Sequence, residues 1–124
     1  MLNLSLSPAV RIFVYSLPTD MRRQFDGLAR LVTHELGCDV FTGDYYVFLN
    51  RRCTLCKILC WEPGGFSLYA KRLARGTFQR PAYDGGSFAT EVDAVTLAML
   101  LAGVDYTTAK RRQRYPRPTT AAVA

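Results

Sequence analysis

Cys53-Thr54-Leu55-Cys56 has the two-residue spacer of a zinc knuckle, and His34 and Cys38 stand one helical turn apart. A tetrahedral His-Cys-Cys-Cys site can be drawn from these four side chains, with thiolate sulfur and imidazole nitrogen as soft ligands. The surroundings favour another role. The chain has 1 histidine and 4 cysteines; Cys38 and Cys60 lie too far apart for a second Cys-x-x-Cys pair, and no glycine-rich turn surrounds the first. Cys56 and Cys60 fall on one alternating face of an apolar run, where cysteine acts as a small hydrophobe. A disulfide is not expected in the reducing compartment that the chain suggests. The expected cofactor and metal content is none.

Acid–base and nucleophilic chemistry have little to draw on. His34 is solitary, with no nucleophile motif beside it. Asp20 and Asp26 lie on different faces of a helix, and Asp84, Glu91 and Asp93 flank a Gly-Gly loop. Neither set converges as a two-metal nuclease requires. The sequence therefore reads as a non-enzyme.

Cations are the more informative group. The formal net charge is +6, and it is unevenly placed. Residues 1–50 are close to balanced. Between 51 and 80, Arg51, Arg52, Lys57, Lys71, Arg72, Arg75 and Arg80 face Glu62 alone. Residues 81–105 carry only acids, and the tail 106–124 adds Lys110, Arg111, Arg112, Arg114 and Arg117. Two basic blocks around an acidic one suit a polyanion partner, most plausibly nucleic acid, as well as plain solubility. Lysines on strands also discourage edge-to-edge aggregation. Lys57 and Lys71 are expected across neighbouring strands on one face, with Trp61 and Tyr69 near them and Arg51, Arg52, Arg72 and Arg75 at the rims. That interleaving suits phosphate contact with stacking on an exposed base.

The elements that position these residues follow from periodicity. Residues 9–15 (AVRIFVY) read as a strand ended by Pro18. A helix over 19–36 follows, capped by Thr19 or Asp20, with Met21, Phe25, Leu28, Ala29, Val32 and Leu36 on one stripe and Gly37 at its end. Arg22 and Arg23 lie off that stripe. Strands are expected at 45–49, 55–61 and 66–73, joined by a polar connection at 50–54 and by Glu62-Pro63-Gly64-Gly65. A short segment at 77–79 and a surface loop at 81–89 come next. A second, shorter helix is capped by Asp93 and stopped by Gly103, and its apolar circumference requires burial or an interface. The expected architecture is α+β: an antiparallel sheet of four to five strands, one long amphipathic helix and one short C-terminal helix.

At 124 residues, 49% hydrophobic and 21% charged, the chain fits one globular domain. Residues 1–8 read as a loose leader, 9–105 as the domain, and 106–124, basic and poor in large aliphatics, as a disordered tail. No run reaches the ~18 uncharged apolar residues of a membrane helix, and the N-terminus lacks a basic segment before its apolar part. The cytoplasm is the default location. No helix-turn-helix is apparent, because the two helices are separated by a sheet.

Three stretches, PTDMRRQFDGL at 18–28, KILCW at 57–61 through LYAKRLARG at 68–76, and LAMLLAGVD at 97–105, occur in an order that resembles one family. It is the TnpB-type accessory protein (second open reading frame) of the bacterial insertion-sequence family numbered sixty-six, distinct from the RNA-guided nucleases that share the label. The resemblance covers about residues 10–106. It implies an accessory role in DNA transposition, with catalysis left to a separate, larger transposase, and supplies no catalytic or metal site. The chain departs from the family pattern at Cys53, Cys56 and Cys60, where glycine, an aliphatic and an aromatic residue are expected. The implied partners are the transposase and a companion transposition protein, with element DNA as a further partner and no membrane. Arg22, Arg23, Arg51, Arg52, Lys57, Lys71, Arg72 and Arg75 are the candidate contacts. The alternative is a general nucleic-acid-binding module whose tail supplies most of the affinity.

Overall fold

The computed structural model of the protein describes residues 9–82 and 85–104. The leader at 1–8 and the tail at 106–124 lie outside the described residues. β1 (Ile12–Tyr15) leads through α1 (Phe25–His34) and a 3₁₀ turn (Val40–Thr42) into β2 (Tyr45–Leu49). Then come β3 (Leu55–Glu62), β4 (Gly65–Arg72), β5 (Ala89–Val92) and α2 (Ala94–Leu101). The strands form one five-stranded sheet in the order β4-β3-β2-β1-β5. The class is α+β, as the sequence indicates. The sheet is mixed rather than wholly antiparallel, because β1 and β2 pair in parallel (Ile12 beside Tyr45, Val14 beside Val47). A helical crossover between two neighbouring strands returns the chain in its original direction, which forces that pairing.

Period-2 alternation divides the core into two layers. On one face Ile12, Val14, Tyr45, Val47, Leu49, Cys56, Ile58 and Cys60 pack with Leu97, Leu100 and Leu101 of α2. On the other, Tyr15, Tyr46, Phe48 and Leu59 pack with Leu28 and Val32 of α1. Helices cover both sides, so all five residues of β2 are buried. An eight-residue helix such as α2 is not stable by itself; the full burial of Leu97 and Leu100 holds it, at roughly 1.5–3 kcal/mol each. Its ends match the sequence reading. The Asp93 side chain accepts from the Thr96 N–H at 2.7 Å. Gly103, at φ +75°, allows its own N–H and that of Val104 to return to Leu100 O and Met99 O.

Two boundaries move. α1 starts at Phe25, six residues later than expected from Thr19, and is shorter than the apolar stripe suggests. The Asp20 carboxylate binds the Arg22 N–H at 3.0 Å and so closes a local turn instead of capping the helix. The carbonyls of Met21 and Arg23 are turned towards Lys57 on the sheet. The fifth strand is Ala89–Val92, paired antiparallel with β1 (Val14 beside Thr90), and not the segment at 77–79. That segment is anchored without joining a ladder: Phe78 is 2% exposed and donates its N–H to Cys53 O at 2.7 Å. No helix among the described residues is long and apolar enough to cross a membrane.

Candidate polyanion and partner interface

The connection from β2 to β3 is built by one side chain. Asn50 Oδ1 accepts from the N–H groups of Thr54 (2.9 Å) and Leu55 (3.0 Å), and its Nδ2 donates to Thr54 Oγ1 (3.2 Å). This fixes a tight turn with Arg51 and Arg52 exposed at its tip. Cys53 completes the turn at φ +55°, the left-handed region that a side chain with a Cβ adopts at a cost. The glycine that the family resemblance expects there matches this backbone.

The β3–β4 register then brings the end of β4 alongside the turn. Leu55 pairs with Arg72 and Cys56 with Lys71, and Leu73 donates its N–H to Thr54 O at 2.9 Å. Arg72 and Arg75 are exposed at this end of the sheet. The lead-in to α1 arrives there as well, because the Thr19 N–H bonds to Leu49 O, the last residue of β2, at 2.9 Å. Exposed Arg22 and Arg23 follow it. Arg80 also belongs to this end: its Nη2 donates to Asn50 O at 2.7 Å. The sequence does not mark it as a site residue, because the contact spans thirty positions and no local motif announces it.

Seven positions from four chain segments (Arg22, Arg23, Arg51, Arg52, Arg72, Arg75 and Arg80) therefore converge on the end where β2 finishes and β3 begins. Arg22 is paired with Asp20 at 2.6 Å, which holds that carboxyl down at about 2. The other six have no ion-pair partner among the described residues. The opposite end of the sheet carries Asp44 before β2, Glu62 closing β3, Glu91 in β5 and Asp93 before α2. Arg11, a cation at that end, is paired with Glu91 at 2.7 Å, which lowers the Glu91 carboxyl below its ordinary range. Charge is thus segregated along the strand axis.

Lys57 and Lys71 stand apart from this surface and from each other. Lys57 pairs with Ala70 and Lys71 with Cys56, so their side chains point to opposite faces of the sheet, not to one. Lys57 is buried, and its ammonium donates to Met21 O (2.8 Å), Arg23 O (3.0 Å) and Gln24 Oε1 (3.3 Å). It uses all three of its protons inside the fold. Lys71 Nζ donates to Leu101 O at 2.7 Å, at the negative end of α2.

The aromatics do not interleave with the cations either. Trp61 lies at the hairpin end, packed edge-on against Phe66 (4.9 Å) and Phe41 (5.0 Å). Tyr69 is on the α2 face, beside Ile58. An open groove of about 350 Å³ beside this aromatic cluster is lined by Asp26, Arg30, Thr33 and His34 of α1 with Val40, Phe41 and Phe66. The drawn thiol–imidazole set is not assembled. Cys38 packs in the α1 layer, whereas Cys53, Cys56 and Cys60 pack in the α2 layer. Burial pushes the Cys56 thiol up to about 12 and that of Cys60 up to about 11.

Comparison with known proteins agrees with the resemblance. A family described as IS66 Orf2 like protein matches residues 10–111. The uncharacterized protein y4jC of Sinorhizobium fredii is 35% identical over 116 residues, covering 94% of this chain and 97% of the relative. The uncharacterized protein y4hO of the same organism is 34% identical over 110 residues, covering 89% and 91%. No solved structure matches the chain. The family match spans both helices, the whole sheet and every arginine of the basic end, and the chain belongs to the IS66 Orf2-like family of insertion-sequence accessory proteins.

Proposed function

We propose that the protein is a non-catalytic accessory factor in transposition of an insertion sequence, acting in the cytoplasm through the basic end of its sheet. That end contacts the transposase, its companion transposition protein or element DNA. The observation that carries this reading is the convergence of Arg51, Arg52, Arg72, Arg75 and Arg23 from three separate segments, without carboxylate partners among the described residues. Guanidinium groups left unpaired at one end of a charge-segregated fold attract and orient a polyanion or an acidic protein face. Lys57 is removed from the contact set in this reading, and Lys71 contributes charge only through its position beside Arg72. Residues 9–105 are the contact domain, and the cations at 110–117 add salt-sensitive phosphate affinity.

Fluorescence anisotropy with a short duplex from the end of the element, titrated over salt, tests this together with transposase capture. Replacing Arg51, Arg52, Arg72 and Arg75 by alanine weakens binding, and each lost phosphate contact lowers the salt slope by about 1. A 1–106 truncation keeps most of the affinity; if it loses nearly all, the tail is the binder. A quadruple variant that folds and retains DNA binding, transposase capture and transposition refutes the assignment.

A further inference from the structure

β4 is the edge strand next to β3, eight residues long, in unbroken register from Glu62–Gly65 to Leu55–Arg72. The hydrogen bond from Leu73 N–H to Thr54 O fixes which residues face inward, since ladder bonds alternate along an antiparallel pair. Residues 65, 67, 69 and 71 bond to β3. Phe66, Leu68, Ala70 and Arg72 turn their N–H and C=O groups away from the sheet. Among the described residues, no backbone hydrogen bond reaches these four from outside the ladder. Apart from Arg72 at its end, the devices that normally blunt an edge are missing here. There is no proline and no positive-φ residue between 65 and 72. The lysine of the strand, Lys71, is directed at Leu101 O rather than along the edge. The other edge, β5, is only four residues long.

We infer that β4 is a strand-pairing interface for a second copy of this chain, antiparallel about a two-fold axis at Tyr69. Charge selects the occupant and the direction. One end of β4 carries Arg72 and Arg75; the other carries Glu62 and the Trp61–Phe66 pair. Antiparallel self-pairing sets the basic end of each copy against the acidic and aromatic end of the other, whereas parallel pairing stacks like charge on like. With the axis at Tyr69, Arg72 lies opposite Phe66 of the second copy and Leu68 opposite Ala70, all on the α1 side. The first is a cation–π pair and the second a close apolar contact. The two Tyr69 rings meet across the axis in a pair not joined by ladder hydrogen bonds, where side chains approach most closely. Such pairing takes Arg72 into the interface and leaves Arg51 and Arg52 accessible in both copies.

The test is amide exchange on the unmodified full chain as a function of concentration, alongside sedimentation. Ser67, Tyr69 and Lys71 amides are protected at all concentrations. Those of Phe66, Leu68, Ala70 and Arg72 exchange quickly in dilute solution and become at least tenfold slower as a dimer forms at micromolar concentration. Ala70 is exposed, so Ala70→Lys preserves the monomer, abolishes the dimer and leaves the four outward amides fast at every concentration. A monomer up to about 500 µM, far above the micromolar range expected for the dimer, overturns the inference. So does a dimer without the alternating protection, or one that survives Ala70→Lys.

Discussion

Replacing Lys57 by methionine separates the role that strand position suggests for this residue from the one the fold assigns it. Methionine keeps the unbranched stem and its packing between Phe48 and Ala70. What disappears is the ammonium and its three bonds to Met21 O, Arg23 O and Gln24 Oε1. Hydrogen bonds from a charged donor are worth about 1.5–3 kcal/mol each, and the desolvation of the buried ammonium offsets part of the total. The two carbonyls left behind are on a segment near solvent, so water recovers part of the loss. The expected cost is about 2–4 kcal/mol, or roughly 10–20 °C in Tm for a domain of this size. Urea unfolding followed by the fluorescence of Trp61, the 1 tryptophan of the chain, measures it. The m-value stays constant, because the surface exposed on unfolding is the same. The DNA affinity of the folded variant is unchanged. A loss below about 0.5 kcal/mol refutes the buried-clamp account, since surface substitutions fall in that range; reduced DNA affinity without destabilisation returns Lys57 to the contact surface.

Three further outcomes follow from particular residues. Cys53→Gly relieves the φ of +55° and raises Tm by a few degrees, a gain of up to about 1 kcal/mol after loss of the thiol's packing; a lower Tm shows that packing outweighs backbone strain. The Asp20 carboxyl is lowered to about 2 by Arg22. Its folded value lies below its unfolded one, so its stabilisation is present above about pH 4 and is lost as pH falls towards 2. The pair lies at the surface, so the difference between the protein and Asp20→Asn over that window is small and vanishes in high salt; an equal acid limb in both removes the pairing from the account. The raised Cys56 and Cys60 thiols hold little thiolate at pH 8, so iodoacetamide labels them only on the timescale of unfolding. Mass spectrometry after brief labelling locates modification at Cys53 and Cys38 first, and rapid labelling of Cys56 contradicts its burial.

Much of the fold follows from local pattern. The alternation in 55–73 and the Pro-Gly-Gly turn specify the β3–β4 hairpin. The Asp93 cap and Gly103 delimit α2, because capping chemistry depends on neighbours a few positions away. The stripe from Phe25 to Val32 marks α1, and three stretches of family-like sequence, in order along the chain, mark the accessory-protein family. Even the parallel β1–β2 pair is implicit in a strand-helix-strand order, although nothing in either strand alone declares it. The late start of α1 is different in kind, since the Lys57 ammonium that draws in the Met21 and Arg23 carbonyls comes from a strand more than thirty positions away.

The surface is where tertiary structure decides. A sequence orders charges by position, and the blocks at 51–80 and 81–105 suggest a basic hairpin beside an acidic loop. Folding re-sorts them by which end of a strand they occupy. Arg22, Arg51, Arg72 and Arg80 come together although up to 58 positions apart in number, and Asp44, Glu62 and Glu91 gather at the other end. Lys57 and Lys71, equally basic in the sequence, are withdrawn by register, because strand pairing determines which face each occupies. One residue of slip would exchange those faces. Residue types and their local spacing settle most of the elements, whereas β5 and the start of α1 depend on partners distant in sequence; long-range backbone hydrogen bonds settle which charges remain free to meet a partner.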